Sequence, residues 1–324
     1  MNKFVLIALI AVAACISQQV NEDKLAFIQF QDFMKKYDKH YNSLQEYMAR
    51  FNVFKKNVQN LKSNSNYVNG ITQFSDMTPN EFRKTYLNLD ISVLNTIKFE
   101  KAEPIRLFGA PESYNWVDEG VVGAVKNQGS CGSCWAFSTV GNLEGLYAIQ
   151  NKEKLIFSEQ ELVDCDTYDS GCNGGLMENT FQWIKKNGGL VLSENYPYKG
   201  KKGTCADKEL EKVVKVSGYE KLNSEDEEDI KNYLIKTGPL AIALNANPLQ
   251  FYESGILDLD SSECDPQGLN HAVVLVGYGV ENGVDYWIVR NSWGAGWGED
   301  GYFRIARGKG TCGINTYITS GILA

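Results

Sequence analysis

The chain has 324 residues, of which 43% are hydrophobic and 22% are charged, and its net charge is −8 at pH 7. This composition is typical of a globular protein with a sizeable core and excludes wholesale disorder. The acidic balance also argues against a nucleic-acid partner, because nucleic-acid binding needs clustered lysine and arginine.

The N-terminus has the pattern of a targeting segment. Lys3 precedes an unbroken apolar run over residues 4–14, and small residues follow as far as Ser17. A signal peptide has an apolar core of about 7 to 15 residues, whereas a membrane span needs about 20. The sequence therefore predicts a signal peptide over residues 1–17 and no membrane span, with a lipoprotein box at residues 12–15 as the alternative. The expected destination is the secretory pathway, ending in a lysosome, a food vacuole or the extracellular space.

The next part of the chain is predicted to be mainly helical. Apolar residues recur at helical spacing over residues 25–37 and 44–61, which predicts two amphipathic helices. Residues 70–78 alternate like a short strand, and Thr78 begins a Thr-Pro-Asn-Glu sequence typical of a helix start. Periodicity fades over residues 88–108, as it would in a linker.

The remainder of the chain changes from helix to sheet. Residues 135–150 predict a helix, and four later segments predict strands, at 241–244, 271–278, 286–290 and 301–305. This order favours an α+β fold with a groove between two lobes. A run of five acids at residues 225–229 is interpreted as a solvated helix start without function.

Charge and cysteine content also divide the chain. Residues 18–109 carry a net charge of +3 and no cysteine, whereas residues 110–324 carry −12. Either the basic segment docks electrostatically on the acidic body, or the difference is ordinary scatter. Of eight cysteines, Cys15 lies in the predicted signal peptide, which leaves seven. In a secreted protein an odd number predicts three disulfides and one reactive thiol.

The segment over residues 127–137, Asn-Gln-Gly-Ser-Cys-Gly-Ser-Cys-Trp-Ala-Phe, contains Cys131 and Cys134 three positions apart. Such a pair fits a redox dithiol, half of a zinc site completed by Cys165 and Cys172, or one structural cysteine beside one nucleophile. Cys134 lies where the glycine-rich loop meets the predicted helix, and a helix N-terminus stabilises a thiolate. This position favours the third interpretation.

The partners of such a nucleophile can be chosen from the same sequence. His271 is the only histidine after residue 110, so it is the candidate base. Asn291 is the candidate to orient the imidazole, with Trp293 shielding their hydrogen bond from water. Gln128 and the backbone N–H of Cys134 are the candidate donors for an oxyanion.

These blocks resemble the papain family of cysteine proteases, cathepsin L type, and the resemblance covers essentially the whole chain. It implies a papain-like two-lobe fold, with a helical left lobe, a β-sheet or barrel-like right lobe and an active-site cleft between them. The implied organisation is a signal peptide (1–17), an inhibitory pro-segment (18–109, helical over about 25–85) and a mature peptidase domain (110–324). The implied disulfides are Cys131–Cys172, Cys165–Cys205 and Cys264–Cys312.

The pro-segment also resembles the inhibitory domain of that family. Matches to the family's two motifs are Glu46, Arg50, Phe54, Asn57, Gly70, Phe74 and Asp76, whereas Leu61, Ser65 and Thr72 depart from them. The resemblance implies that this segment runs backwards through the cleft and is therefore not cleaved. Maturation is expected near Ala110 and at acid pH.

The resemblance further implies a cysteine endopeptidase that prefers a hydrophobic or aromatic residue at P2, the second position before the cut. The residues implied to bind substrate are Gly174, Gly175, Leu176, Met177, Ala243, Leu269, Asn270, Trp293 and Tyr317. Bulky Tyr317 predicts a shallower P2 pocket, and the apolar members of the set could instead be simple core. No cofactor or metal is expected. The expected partners are protein and peptide substrates, the chain's own pro-segment and cystatin-like inhibitors, with the enzyme a monomer.

Two other classes of function remain open at this point. A redox or metal protein would use Cys131 and Cys134 together and would not need His271. A non-catalytic papain-like binding protein would keep the fold without the chemistry. Substitution of Cys134 distinguishes all three.

Overall fold

The computed structural model describes residues 21–89, 91, 100–102, 107, 109–222 and 224–324. The predicted signal peptide lies outside these residues. Within them, no helix is both long enough and apolar enough to cross a membrane.

Seven α-helices are described in chain order. They are α1 (21–36), α2 (Leu44–Gln59), α3 (Pro79–Tyr86), α4 (Cys134–Asn151), α5 (Glu159–Cys165), α6 (Met177–Asn187) and α7 (Glu227–Thr237). Short 3-10 helices lie at Gly171–Asn173, Asn247–Phe251 and Thr311–Gly313.

The described strands belong to one ten-stranded sheet. They are β1 (Tyr67–Asn69), β2 (Glu100–Ala102), β3 (Tyr114–Asn115), β4 (Val216–Leu222), β5 (Leu240–Leu244), β6 (Tyr252–Leu257), β7 (His271–Glu281), β8 (Val284–Arg290), β9 (Tyr302–Ala306) and β10 (Ile318–Leu323). Their order is β1-β6-β9-β8-β7-β5-β10-β4-β2, and β3 pairs with β7. The pro-segment strands β1 and β2 thus extend the mature sheet at both ends, β1 antiparallel to β6 and β2 parallel to β4.

The three pro-segment helices predicted from the sequence are present. The Ser43 hydroxyl accepts the Glu46 N–H at the start of α2, which satisfies one of the free N–H groups of the first turn. At α3, Thr78 and Glu81 form a reciprocal capping box, with Pro79 in the first turn. Helices α1 and α2 bury Phe30, Phe33 and Phe54 in a small aromatic core of their own.

The predicted strand over residues 70–78 was wrong, because this segment forms turns and the strand lies just before it at β1. The backbone N–H of Ser75 donates to the carbonyl oxygen of Thr72, and the Thr72 N–H donates to the Ser75 hydroxyl. Hydroxyl side chains that bond to nearby backbone compete with strand pairing. The turns place Phe74 inward, with its ring 5.2 Å from that of Trp293.

The mature domain has two hydrophobic cores, which correspond to the two expected lobes. One core lies under α4, α5 and α6 and includes Trp135, Leu143 and Phe181. The other lies within the sheet and includes Trp287 and Phe303. Helix α4 is buried along most of its length and packs against both β7 and β10. It is therefore the central support from which the two lobes diverge.

Three disulfides stabilise this domain, and each closes a loop of similar length. Cys131 pairs with Cys172, Cys165 with Cys205, and Cys264 with Cys312, at sequence separations of 41, 40 and 48. This is the pairing that the resemblance implies.

The acid run at residues 225–229 does begin a helix, α7, but the interpretation of the whole run as solvated was wrong. Glu227 is buried and accepts hydrogen bonds from the Trp287 indole N–H at 2.6 Å and from the Gly310 N–H at 2.7 Å. A buried carboxylate is tolerated because these donors replace water. Glu227 is therefore a structural residue that links α7 to the sheet.

Candidate active site

Cys134 is the first residue of α4, and it is the one free cysteine in the described part of the chain. Its side chain is fully buried in this precursor. Backbone N–H groups of Ala272, Trp135 and Asn88 point at its sulfur. The N–H groups of Ala272 and Trp135 remain when the pro-segment leaves, and together with the helix N-terminus they are suited to stabilise a thiolate.

His271 is the first residue of β7 and directly precedes Ala272, whose N–H points at the Cys134 sulfur. Its Nε2 lies 2.8 Å from the Asn291 Oδ1, and Nδ1 finds no hydrogen-bond partner among the described residues. The Asn291 oxygen also accepts the Ser292 N–H, so Asn291 presents an acceptor and Nε2 must carry the ring proton. This tautomer leaves Nδ1 as the basic nitrogen.

The indole of Trp293 covers the His–Asn pair. Its ring stacks on the His271 ring, with centroids 4.8 Å apart and planes 25° apart. An apolar cover excludes water from the hydrogen bond and fixes the imidazole plane. This is the arrangement that the shielding role predicted for Trp293 requires.

Ser292 forms hydrogen bonds with both the backbone and the side chain of Gln128. The Gln128 N–H donates to the Ser292 carbonyl oxygen at 2.8 Å, and the Ser292 hydroxyl donates to the Gln128 Oε1 at 2.6 Å. Its amide nitrogen contacts the carbonyl oxygens of Cys131 at 3.0 Å and of Tyr86 at 3.4 Å. Ser292 was not predicted as a site residue, although its position after Asn291 was a usable signal.

The pro-segment contacts the candidate site through three residues of one short stretch of chain. The Tyr86 carbonyl oxygen contacts Gln128, the Asn88 N–H points at the Cys134 sulfur, and Leu89 forms a parallel bridge with Gly175. Leu89, which follows Asn88 in the chain, therefore lies on the expected P2 side of Cys134. In a substrate, by contrast, the P2 residue precedes the bond that is cut. This is the reversed direction that the resemblance implies.

Burial by the pro-segment also changes the acid–base properties of the site. Burial raises the pKa of the Cys134 thiol to about 11, and burial lowers the pKa of His271 to about 4. At neutral pH the covered pair is therefore a neutral thiol and a neutral imidazole. Burial by the pro-segment thus disfavours the thiolate that nucleophilic attack requires.

Most of the residues expected to bind substrate lie in the same part of the structure as Leu89, whereas Trp293 belongs to the other core. Leu89 belongs to the same core as the expected pocket residues Leu176, Met177, Ala243, Leu269 and Tyr317. Gly174 has φ +118°, and a Cβ there would lie 2.2 Å from the Asn88 carbonyl oxygen, so only glycine permits this approach. Asn270 contributes its backbone, since its carbonyl oxygen accepts the Leu89 N–H at 3.2 Å.

The disulfides argue against a shared redox or zinc site. Cys131 is bonded to Cys172, and Cys165 to Cys205, so none of the three partners that Cys134 would need offers a free thiolate. Asp207 lies near the sulfurs of Cys165 and Cys205, but a disulfide sulfur is a poor metal ligand. The geometry instead defines a cysteine hydrolase that is covered by its own N-terminal domain.

Comparisons with known proteins agree with this class. Residues 110–322 match the family model "Papain family cysteine protease", and residues 30–82 match "Cathepsin propeptide inhibitor domain (I29)". The chain therefore belongs to the papain family of cysteine proteases and is the zymogen of a cysteine-type endopeptidase.

Individual relatives support the same assignment. Cathepsin F of Drosophila melanogaster is 41% identical over 91% of this chain, which spans only 50% of that longer protein. Cysteine proteinase 15A of Pisum sativum is 37% identical over 98% of this chain and 96% of its own length. The structure of digestive procathepsin L2 from Tenebrio molitor larval midgut superposes with a TM-score of 0.83 at 34% identity, covering 92% of this chain and all of that one.

Proposed function

We propose that Cys134 is the nucleophile, that His271 is its base and that Asn291 orients the imidazole. The observation that carries this assignment is the His271 ring, whose Nε2 is held by Asn291 while Nδ1 is left without a partner. When the pro-segment leaves, burial no longer penalises charge, and a thiolate–imidazolium pair forms at the N-terminus of α4.

The reaction then follows from the positions of these groups. The Cys134 thiolate attacks the peptide carbonyl, and the Gln128 amide and the Cys134 N–H stabilise the oxyanion. His271 protonates the leaving amine, and water hydrolyses the thioester with His271 as base. Gln128 already contacts a carbonyl oxygen, that of Tyr86, which supports its role as a donor to substrate.

The substrate preference proposed is a hydrophobic or aromatic residue at P2. Leu89 packs in the same core as Leu176, Ala243 and Tyr317, so an apolar side chain already fills this region in the precursor. Transfer of a leucine-sized side chain into such a site stabilises binding by about 1.5 to 3 kcal/mol. A charged side chain would lose its hydration without replacement.

Maturation is proposed to occur at acid pH near Ala110, after removal of a signal peptide over residues 1–17 in the secretory pathway. Arg50 on α2 donates hydrogen bonds to Glu81 at 3.0 Å and to the Asp76 carbonyl oxygen at 3.1 Å. These bonds connect α2 to α3 and to the turn that precedes α3. Protonation of Glu81 would weaken this joint. The mature enzyme is proposed to act as a monomer on proteins and peptides in a lysosome, food vacuole or extracellular space, and to bind cystatin-like inhibitors.

The test uses the full precursor and its Cys134→Ser variant, shifted to about pH 5 with reductant, which is below the ordinary pKa of histidine. Cleavage is followed with two fluorogenic peptides that differ only in having Leu or Asp at P2. We expect loss of the pro-segment and cleavage of the Leu peptide by the wild type, and neither in Cys134→Ser. Processed, folded protein that cleaves nothing would instead support the non-catalytic binding protein.

A further inference from the structure

Tyr198 lies between the two segments that supply the oxyanion donors. Its hydroxyl donates to the Gln128 carbonyl oxygen at 2.8 Å and lies 2.8 Å from the Ser133 hydroxyl. Gln128 carries one proposed donor, and Ser133 directly precedes the backbone N–H of Cys134, which is the other. One side chain therefore links both halves of the oxyanion hole.

The direction of these hydrogen bonds follows from counting protons. Tyr198 has one hydroxyl proton, and the Gln128 carbonyl oxygen can only accept, so that proton points at Gln128. The Ser133 hydroxyl must then donate to the Tyr198 oxygen. Ser133 occupies the N-cap position of α4 without a capping bond from its side chain. Its hydroxyl also lies 3.4 Å from the Cys131 carbonyl oxygen, but the Tyr198 oxygen is the nearer acceptor at 2.8 Å.

The link completes the support of Gln128. Ser292 holds its N–H and its amide oxygen from the side of the sheet lobe. The remaining backbone group of Gln128, its carbonyl, is held by Tyr198, which lies in the segment between α6 and β4. Because two donors must both lie about 2.7 to 3.1 Å from one developing oxyanion, a small shift of either donor lowers the rate.

The Tyr198 ring packs against an aromatic neighbour and borders a cavity. The Phe137 ring, one turn into α4, meets it edge to face at 4.9 Å. Both rings also border a cavity of about 440 Å³, lined in addition by Leu155 and Ile156. Burial raises the pKa of Tyr198 to about 12, so its hydroxyl stays protonated and able to donate at every working pH. With open space beside the ring, its hydroxyl bonds are needed to keep it in place.

We propose that Tyr198 is a positioning residue for the oxyanion hole, which holds the Gln128 amide in register with the N-terminus of the Cys134 helix. The proposal rests on the proposed roles of Gln128 and Cys134. Tyr198 contacts no substrate in this scheme. It acts on the transition state alone, so its loss should lower kcat and leave KM nearly unchanged.

The test compares acid-activated wild type with Tyr198→Phe, which keeps the ring and removes only the hydroxyl. Tyr252→Phe is the matched control, because the Tyr252 hydroxyl also donates to a backbone carbonyl, that of Gly255, and accepts one N–H, from Arg304. We expect kcat of Tyr198→Phe to fall about tenfold, with KM changed by less than about twofold. Its affinity for a peptide aldehyde should fall in parallel, since the hemithioacetal oxygen uses the same donors. Alkylation of Cys134 by iodoacetamide, which needs no oxyanion hole, should keep its rate.

A double-mutant cycle shows whether Tyr198 acts through Gln128. In a Gln128→Ala background, Tyr198→Phe should cost less than about twofold, because the amide that it positions is absent. An unchanged kcat in Tyr198→Phe, or a full tenfold loss in both backgrounds, would overturn the proposal. Cleavage retained by Cys134→Ser would instead overturn the proposed nucleophile, so the two failures are distinguishable.

Discussion

Leu89 of the pro-segment and Gly175 of the mature domain form a parallel β-bridge. The bridge places the Leu89 side chain in the core of the helical lobe and the neighbouring Asn88 N–H at the Cys134 sulfur. The same contact therefore fills the proposed P2 region and covers the proposed nucleophile. Inhibition in this zymogen depends on a peptide that occupies the substrate's place in reverse.

Replacing Leu89 with alanine should loosen this cover. Truncation of a buried leucine costs about 2 to 5 kcal/mol, and even part of that cost raises the population of the open cleft by at least about tenfold. We expect iodoacetamide to label Cys134 at least about tenfold faster in the Leu89→Ala precursor at pH 7. Leu44→Ala, at a pro-segment leucine that is 78% exposed, is the control and should label at the wild-type rate. Equal labelling of all three proteins would contradict the role of Leu89.

Replacing Asn291 with alanine should lower kcat by about 10- to 100-fold, because the imidazole loses the bond that fixes its plane and tautomer. The hydrogen bond to Asn291 also raises the pKa of His271, so its removal should lower that pKa. The alkaline limb of the pH–kcat profile, where the imidazolium loses its proton, should therefore move to lower pH. Asn151→Ala, at the exposed end of α4, is the control. A lower kcat with an unmoved alkaline limb would count against this account.

Replacing Glu81 with glutamine should make processing less dependent on acid. Burial alone would raise the pKa of Glu81, but hydrogen bonds from Thr78 and Arg50 outweigh it and the pKa is lowered. The stabilisation is then complete above about pH 4.5 and is lost as pH falls through the folded pKa.

We accordingly expect Glu81→Gln precursor to process about two- to fivefold faster than wild type at pH 6. The difference should shrink as the pH falls through the lowered pKa of Glu81, because wild-type Glu81 then becomes protonated as well. Asp32→Asn, at an exposed carboxylate on α1, is the control. A constant ratio at all pH values would show that Glu81 does not contribute to acid sensing.

Replacing Glu227 with leucine should destabilise the mature domain without affecting catalysis. The Trp287 indole N–H and the Gly310 N–H would lose their acceptor, and each unsatisfied buried donor costs about 1 to 3 kcal/mol. Thermal unfolding should show a lower Tm for Glu227→Leu and an unchanged Tm for Glu225→Leu, since Glu225 is exposed. Equal Tm values would mean that Glu227 is as solvated as its neighbours.

Much of the candidate site was predictable because its residues occur in short sequence motifs. Cys134, His271 and Asn291 were predicted as catalytic residues from residue type and local context. In the structure His271 bonds to Asn291 and directly precedes Ala272, whose N–H points at the Cys134 sulfur. Ser292 and Tyr198 were not identified. Their hydroxyls act on Gln128 from segments 164 and 70 residues away, and no local pattern marks such a contact.

The sequence by itself determined the pro-segment helices, the catalytic motif and the odd cysteine count, because helix caps, apolar periodicity and motif chemistry are local properties. Only the tertiary structure decided that residues 70–78 turn inward rather than pair, that Glu227 is buried, and that Leu89 packs into the core of the helical lobe. Each of these depends on which distant groups are present to accept a hydrogen bond or bury a side chain. That information arises only when segments far apart in the chain pack together.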